Sequence, residues 1–192
     1  NTYIYIAIRR PHKPPEAGTD VFAIDLYSGS TTLPFEAPFA PDLAFIKHET
    51  SSSSWFWSDR LRGNNSLSSN NNNADSSHSS YGVQFRGAFS QSWTDYIGYM
   101  FKRAPGLFDV VAYEGNGTAG HAVSHNLEVA PELMIIKRRD DTNGWGVYSS
   151  ATGASQIMYL NANNAAGSSN HFNNTTPTAT IFTLGTQTVV NA

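Results

Sequence analysis

The chain writes nearly the same ten residues twice: APDLAFIKHE begins at Ala40 and APELMIIKRR at Ala130, an offset of 90. The correspondence extends in both directions, which marks an internal repeat rather than a chance likeness of two short strands. Upstream, DVFAI from Asp20 matches DVVAY from Asp109, an offset of 89, and YIYIAIRR from Tyr3 matches YIGYMFKR from Tyr96, an offset of 93. Downstream, Trp55 matches Trp145. LSSNNNNA from Leu67 is a looser match to LNANNAA from Leu160, and YGVQF from Tyr81 a looser match to ATIFTL from Ala179. Small drifts of offset are what loop insertions and deletions leave behind. On this phase, residues 1–19 read as the closing strand of a preceding repeat plus a proline-rich crossover. Residues 20–103 read as one complete unit, and 104–192 as a second unit that lacks its closing strand.

Composition says what the repeated unit is made of. Only 14% of residues are Asp, Glu, Lys or Arg, against roughly 25% in ordinary soluble domains, and Ser, Thr, Asn and Gly take their place. Ser and Asn compete with the helical backbone through their own hydrogen bonds, whereas aromatic and β-branched residues suit strands. The expected fold is all-β: a jelly-roll or concanavalin-like antiparallel β-sandwich built from two related repeats of about 90 residues.

Local patterns refine this. YIYIAI alternates, with Ile4, Ile6 and Ile8 on one face; Ile97, Tyr99 and Phe101 fall on the same face of the second copy, which we expect to be the buried side. LMIIK from Leu133 is apolar without alternation, so both its faces are expected to be covered. RRDDTNGWGVYSS predicts a hairpin that turns at Asn143-Gly144, where positive φ is tolerated, ahead of a strand over Trp145 to Ser149. DVVAYEG predicts a strand ending at the Gly115-Asn116-Gly117 turn. The Asn/Ser-rich stretch from Gly63 to Ser80 has too little apolar area to offset its ordering and is expected to be surface loop.

Several function classes lack their chemistry here. A net charge of −3 and a pI near 6.0 supply no basic footprint for nucleic acid. No apolar run approaches the length of a membrane-spanning helix, about 18 residues or more. There is no cysteine for disulfide or thiolate chemistry. His121 and His125 have helical metal-ligand spacing but lack the Glu of an H-E-x-x-H site, and on a strand they would stand about 13 Å apart. No serine sits in a G-x-S-x-G turn, and no phosphate-binding loop is present. Among the carboxylates of the second unit, Glu132 matches Asp42 inside the duplicated strand, a sign of scaffold rather than of a glycosidase pair. Asp140 and Asp141 suit a hairpin tip, and with Asn143 they offer too few oxygens for calcium. We therefore assign no catalytic residue, no metal site and no cofactor.

Aromatic and amide side chains are the better candidates for contact. Trp55 and Trp57 share one face of a strand; Trp55, matched by Trp145, reads as core, and Trp57, matched by Val147, as the more open of the two. Specific contacts are expected where the copies differ: Trp57, Asn70, Asn71 and Asn72 in the first unit, and Asp140, Asp141 and Asn143 in the second, facing a glycan or a protein partner.

The strings TYIYIAIRRPHKPP, FDVVAYEGNGTAGHAVSHNLEVAPELMIIKRR and NNTTPTATIFTLGTQTVVNA resemble a repeated module in tail-associated structural proteins of marine bacteriophages, including cyanophages. The first unit departs from that pattern at HETSSSSWFWSD and in its Asn/Ser loop. The resemblance implies a non-enzymatic virion protein, in a tail fibre or appendage, with a lectin-like β-sandwich module and no active site to carry over. Its expected partners are other virion proteins, host-surface polysaccharide and copies of itself, the last by strand exchange at an open sheet edge. A capsid decoration subunit and a polysaccharide-degrading enzyme on the same sandwich are the alternatives.

Overall fold

Most strands form where the sequence alternates or runs apolar, and many connections fall on Gly, Pro, Asn and Ser. A computed structural model describes residues 15–27, 35–77, 83–84, 88–89 and 95–192. Among them are fifteen short strands and no α-helix: β1 (Phe22–Tyr27), β2 (Phe35–Glu36), β3 (Leu43–His48), β4 (Phe56–Asp59), β5 (Asn65–Ser68), β6 (Ser76–Ser77), β7 (Val83–Gln84), β8 (Ala88–Phe89), β9 (Tyr96–Phe101), β10 (His121–Ser124), β11 (Leu133–Lys137), β12 (Trp145–Ser149), β13 (Gln156–Tyr159), β14 (Gly167–Ser168) and β15 (Ile181–Leu184). Every pairing among them is antiparallel. The sheets run β1-β9-β3-β4-β5-β6, β2-β8-β7, β11-β12-β13-β14 and β10-β15. The chain is all-β with sandwich-like packing, as its composition predicts. The expected strand at Tyr3 to Ile8, most of the proline-rich crossover and residues 78–82 lie outside the described residues.

In the first unit, β9 sits between two neighbours, pairing with β1 from Phe22↔Phe101 to Tyr27↔Tyr96 and with β3 from Leu43↔Phe101 to His48↔Tyr96. Its buried face carries Tyr96, Gly98 and Met100, while Ile97, Tyr99 and Phe101 are only half-buried. This reverses the sequence expectation, and Gly98 is the reason. The Phe35 ring lies directly on that glycine, so closely that an added Cβ would meet Phe35 Cδ1 at 2.7 Å. Phe35, Phe39, Ala44, Ile46, Tyr96 and Met100 then form one core on that side. On the opposite face, Phe45 stacks on Trp57, Tyr99 and Phe101 at centroid distances of 4.6, 5.0 and 5.5 Å, geometries that satisfy aromatic rings without full burial.

The second unit encloses its own core, where Val123 of β10 and Phe182 and Leu184 of β15 meet Ile136, Tyr148 and Ile157 of the β11–β13 meander. Asn191, 1% exposed, ties the chain end to this core. Its Oδ1 accepts from Asn116 N (2.8 Å) and Gly117 N (3.1 Å), and its Nδ2 donates to Thr118 O (2.9 Å) and Gly185 O (2.7 Å). Gly115 is glycine because the Ala192 backbone passes 2.4 Å from where a Cβ would stand.

The meanders β3–β6 and β11–β14 share strand order and local bonds. Lys47 Nζ donates to Ser51 O (2.5 Å) and Lys137 Nζ to Asp141 O (3.3 Å). Arg60 N donates to Asp42 O (2.9 Å) and Ser150 N to Glu132 O (2.8 Å). Ser69 N donates to Trp55 O and Leu160 N to Trp145 O, both at 3.1 Å. Cross-strand neighbours Trp57↔Leu67 and Val147↔Met158 align Leu67 with Met158, which corrects the looser sequence match to Leu160.

Four local expectations change. DVVAYEG forms no strand: residues 109–116 have no ladder partner among the described residues. The matching β1 depends on β9 for all its pairing within its sheet, and no described strand stands in that place in the second unit. LMIIK is covered on one face only, with Leu133 60% and Ile135 37% exposed; among the described residues β11 ends its sheet. The hairpin to β12 does form, but neither Asn143 nor Gly144 has positive φ. Gly144 is needed for space instead, since a Cβ would press on the Tyr159 ring at 2.8 Å. Finally, the Asn/Ser stretch holds β5 and β6, with Ser66 and Leu67 buried.

Replacing Gly98 by Val is expected to lower unfolding free energy by about 1–3 kcal/mol, the usual cost of forcing bulk into a packed site. Gly18→Ala, where nothing lies within 4 Å, should change it little. Chemical denaturation of the two variants beside the parent chain checks both.

Candidate functional site

The segments that differ most between the copies come together in space. The Asn71 carbonyl accepts from Trp145 Nε1 (3.0 Å), the Asn72 carbonyl from Asn143 N (2.9 Å), and the Arg139 carbonyl from Asp75 N (2.7 Å). Three bonds therefore join the Asn/Ser loop of the first unit to the β11–β12 hairpin of the second. Trp57 packs on Trp145 at 5.5 Å across the same seam. Trp145 is 3% exposed, while Trp55 and Trp57 are both half-buried on the aromatic face. The Trp57 Nε1 atom is buried and has no hydrogen-bond partner among the described residues, in contrast to that of Trp145.

Of the sequence candidates, Trp57, Asn71, Asn72 and Asn143 lie in this seam, with the backbone or ring groups above committed to it. Asn70 accepts from Ser68 Oγ through its Oδ1 at 2.6 Å. Asp140 and Asp141 lie outward, held by Arg138 at 2.8 and 3.5 Å. The hydrogen bond from Arg138 keeps the Asp140 carboxyl below the ordinary carboxylate range. Lys137 is shifted down, chiefly by burial, against the opposing pull of Asp141 and Asp75.

Beside the seam, the same loop folds over β4 and β5 to form a hollow of about 180 Å³. Ser54 and Phe56, then Ser66, Leu67 and Ser68, and finally Asn71, Asn73, Ala74 and Ser76 line it. The strand period places this hollow: Phe56 projects from the face of β4 opposite Trp57. The loop is shaped from within by Asn71 Oδ1, which accepts from Asn73 N at 3.0 Å, and by Asn65 Nδ2, which contacts Asp75 Oδ2 at 3.4 Å. Hydroxyls, amides and one ring line the cavity, with no ionisable side chain among them. Such a wall suits a neutral, hydroxyl-rich ligand better than an ion. Its volume falls below the roughly 300–1,000 Å³ of sites that enclose a drug-sized molecule, so it fits a single ring at most. Sequence reading found the loop but missed Phe56, Ser66 and Ser76, because a low-complexity run gives no periodic signal for the two strands inside it.

The remaining candidates are absorbed by the scaffold. His121 Nδ1 lies 3.2 Å from Asn191 Oδ1, and His125 Nε2 lies 3.2 Å from the Thr178 carbonyl. His171 is buried against Ser169 and Tyr159, and burial pushes its imidazole below the ordinary histidine value. Asp59 pairs with Arg62, Asp42 with Arg60 and Asp109 with Arg103. Among the described residues no group of three His, Cys, Asp or Glu side chains is placed to hold a metal ion.

Residues 102–192 match a family described as a domain of unknown function, DUF7483. The match begins directly after β9 ends at Phe101. No curated protein and no solved structure matches the chain.

Trp145→Phe removes the donor to Asn71 and leaves a small cavity, for an expected loss of about 1–3 kcal/mol. Trp57→Phe breaks no hydrogen bond and should cost less. Limited proteolysis should cut the 69–75 loop faster in the first variant than in the second; equal rates would show that the seam does not hold the loop.

Proposed function

We propose that this chain is a non-enzymatic structural module of a phage particle, in a tail fibre or related appendage, and that the hollow beside Phe56 contacts a neutral sugar of the host surface. The hollow carries the reading: its serine hydroxyls and asparagine amides offer paired donors and acceptors to sugar hydroxyls. No carboxylate lines the hollow, which favours holding a glycan over cleaving it, since glycoside hydrolysis ordinarily needs two. The resemblance of the repeat to phage tail-associated modules supports the location, on the outside of a virion. A shallow site of this size binds weakly alone, and repetition on a particle would raise its avidity without any new contact. Partners are other virion proteins and further copies of the chain, with neither nucleic acid nor membrane insertion involved.

Two measurements test this. Multivalent display of the chain on a glycan array should retain neutral glycans, and Asn73→Ala combined with Ser76→Val should reduce retention at least tenfold; no retention, or none lost in the variant, contradicts the sugar contact. Antibody labelling of intact particles should mark the tail or its appendages. Label on the head would favour a capsid decoration subunit instead.

A further inference from the structure

We propose that Asn143-Gly144 is a site of spontaneous covalent modification, and that its product loosens the seam between the two units. The inference is independent of the sugar contact and of the virion reading.

The chain holds two Asn-Gly pairs, Asn116-Gly117 and Asn143-Gly144. Both have the same intrinsic reactivity. The glycine backbone nitrogen attacks the asparagine Cγ and bonds to it, and the Cγ–Nδ2 bond breaks as ammonia leaves with the proton of the glycine amide. The five-membered imide so formed takes up water. Water adding at Cγ gives aspartate; water adding at the main-chain carbonyl carbon gives isoaspartate, in which the chain runs on through the side chain. Glycine favours the closure because no Cβ obstructs the approach. Geometry then decides which pair reacts, since an intramolecular step is fast only where the two atoms can meet in the reacting arrangement.

The first pair is held. Gly117 N donates to Oδ1 of the buried Asn191 at 3.1 Å, and Asn116 Oδ1 accepts from Thr118 N at 2.9 Å. Nucleophile and electrophile are both engaged, and both bonds must break before the ring can close. The second pair is free to react. Among the described residues, neither Gly144 N nor the Asn143 side-chain amide has a hydrogen-bond partner. Both residues are half-buried rather than sealed, so water reaches the imide.

The product falls between the bonds that make the seam. Asn143 N donates to Asn72 O (2.9 Å) and Trp145 Nε1 to Asn71 O (3.0 Å), while Trp145 N is fixed to Asn161 Oδ1 (2.9 Å). Isoaspartate inserts one extra backbone atom between these donors, so their spacing no longer matches two successive loop carbonyls. Either product also adds a carboxylate where Asp75, Asp140 and Asp141 already offset Lys137, Arg138 and Arg139.

Ageing the full chain at mildly alkaline pH, with peptide mass spectrometry of both sites and denaturant-unfolded chain as reference, tests this. Exchange of ammonia for water marks each event by mass. In the unfolded chain the two sites should react at similar rates. In the folded chain Asn143 should react about tenfold faster than Asn116, the factor expected where hydrogen bonds of ordinary strength must first be broken. Equal rates in the folded chain, or an Asn143 that reacts only after unfolding, would overturn the site. Isoaspartyl and unmodified chains are then separated by charge and exposed to protease, which needs no variant. The 69–75 loop should be cut faster in the isoaspartyl form; equal cutting would overturn the loosening. Asn143→Gln, whose longer side chain closes a larger ring far more slowly, should keep the loop protected through ageing. A loop that loosens as fast in that variant would also contradict the proposal.

Discussion

The two ladders of β9 hold the first unit together. One six-residue strand pairs with β1 on one side and β3 on the other, bringing together segments from opposite ends of the unit. Its alternation sorts two environments. Tyr96, Gly98 and Met100 face a sealed core, and Ile97, Tyr99 and Phe101 face a platform of stacked rings. Gly98 makes the first possible, since no side chain could share that space with Phe35. Long-range pairing of this kind stabilises only when the whole strand is seated, because loop closure must be offset before the ladder contributes.

The second unit has no described strand in the place of β9. Its meander and core are intact, yet residues 109–116, which match β1 in sequence, have no ladder partner among the described residues. That segment is secured by other means: Tyr113 donates to Val190 O at 2.6 Å, and the buried Asn191 amide bonds Asn116, Gly117 and Thr118. Fully satisfied buried amides of this kind fix one conformation, since leaving any partner unmatched costs more than the bond contributes. The seam built by Asn71, Asn72, Trp145 and Asn143 keeps the two units in contact.

How much of this was legible in the sequence follows from the physics of each signal. The all-β class was, because composition acts over the whole chain. The β12 strand over Trp145–Ser149 was, because turn residues and an aromatic run bracket it. Faces were harder. Alternation at Ile97, Tyr99 and Phe101 located the strand and not its buried side, which depends on where the distant Phe35 ring lands. The strand assigned to DVVAYEG failed for a related reason: strand propensity is local, but a strand needs a neighbour. In the Asn/Ser stretch, β5 and β6 were hidden because only Leu67 gives an apolar signal. The candidate contact residues were found by asking where the copies differ. That question brought the loop and the hairpin to one place without revealing that much of their hydrogen bonding is spent on each other.

The central claim is that the first unit depends on β9, seated between β1 and β3 with Gly98 against the Phe35 ring. Residue-resolved amide hydrogen exchange on the parent chain and on Gly98→Val tests it most directly. Phe22–Tyr27, Leu43–His48 and Tyr96–Phe101 should lose protection together in the variant, while Leu133–Lys137 and Trp145–Ser149 keep theirs. Loss confined to Tyr96–Phe101, or unchanged protection in all three strands, would contradict it.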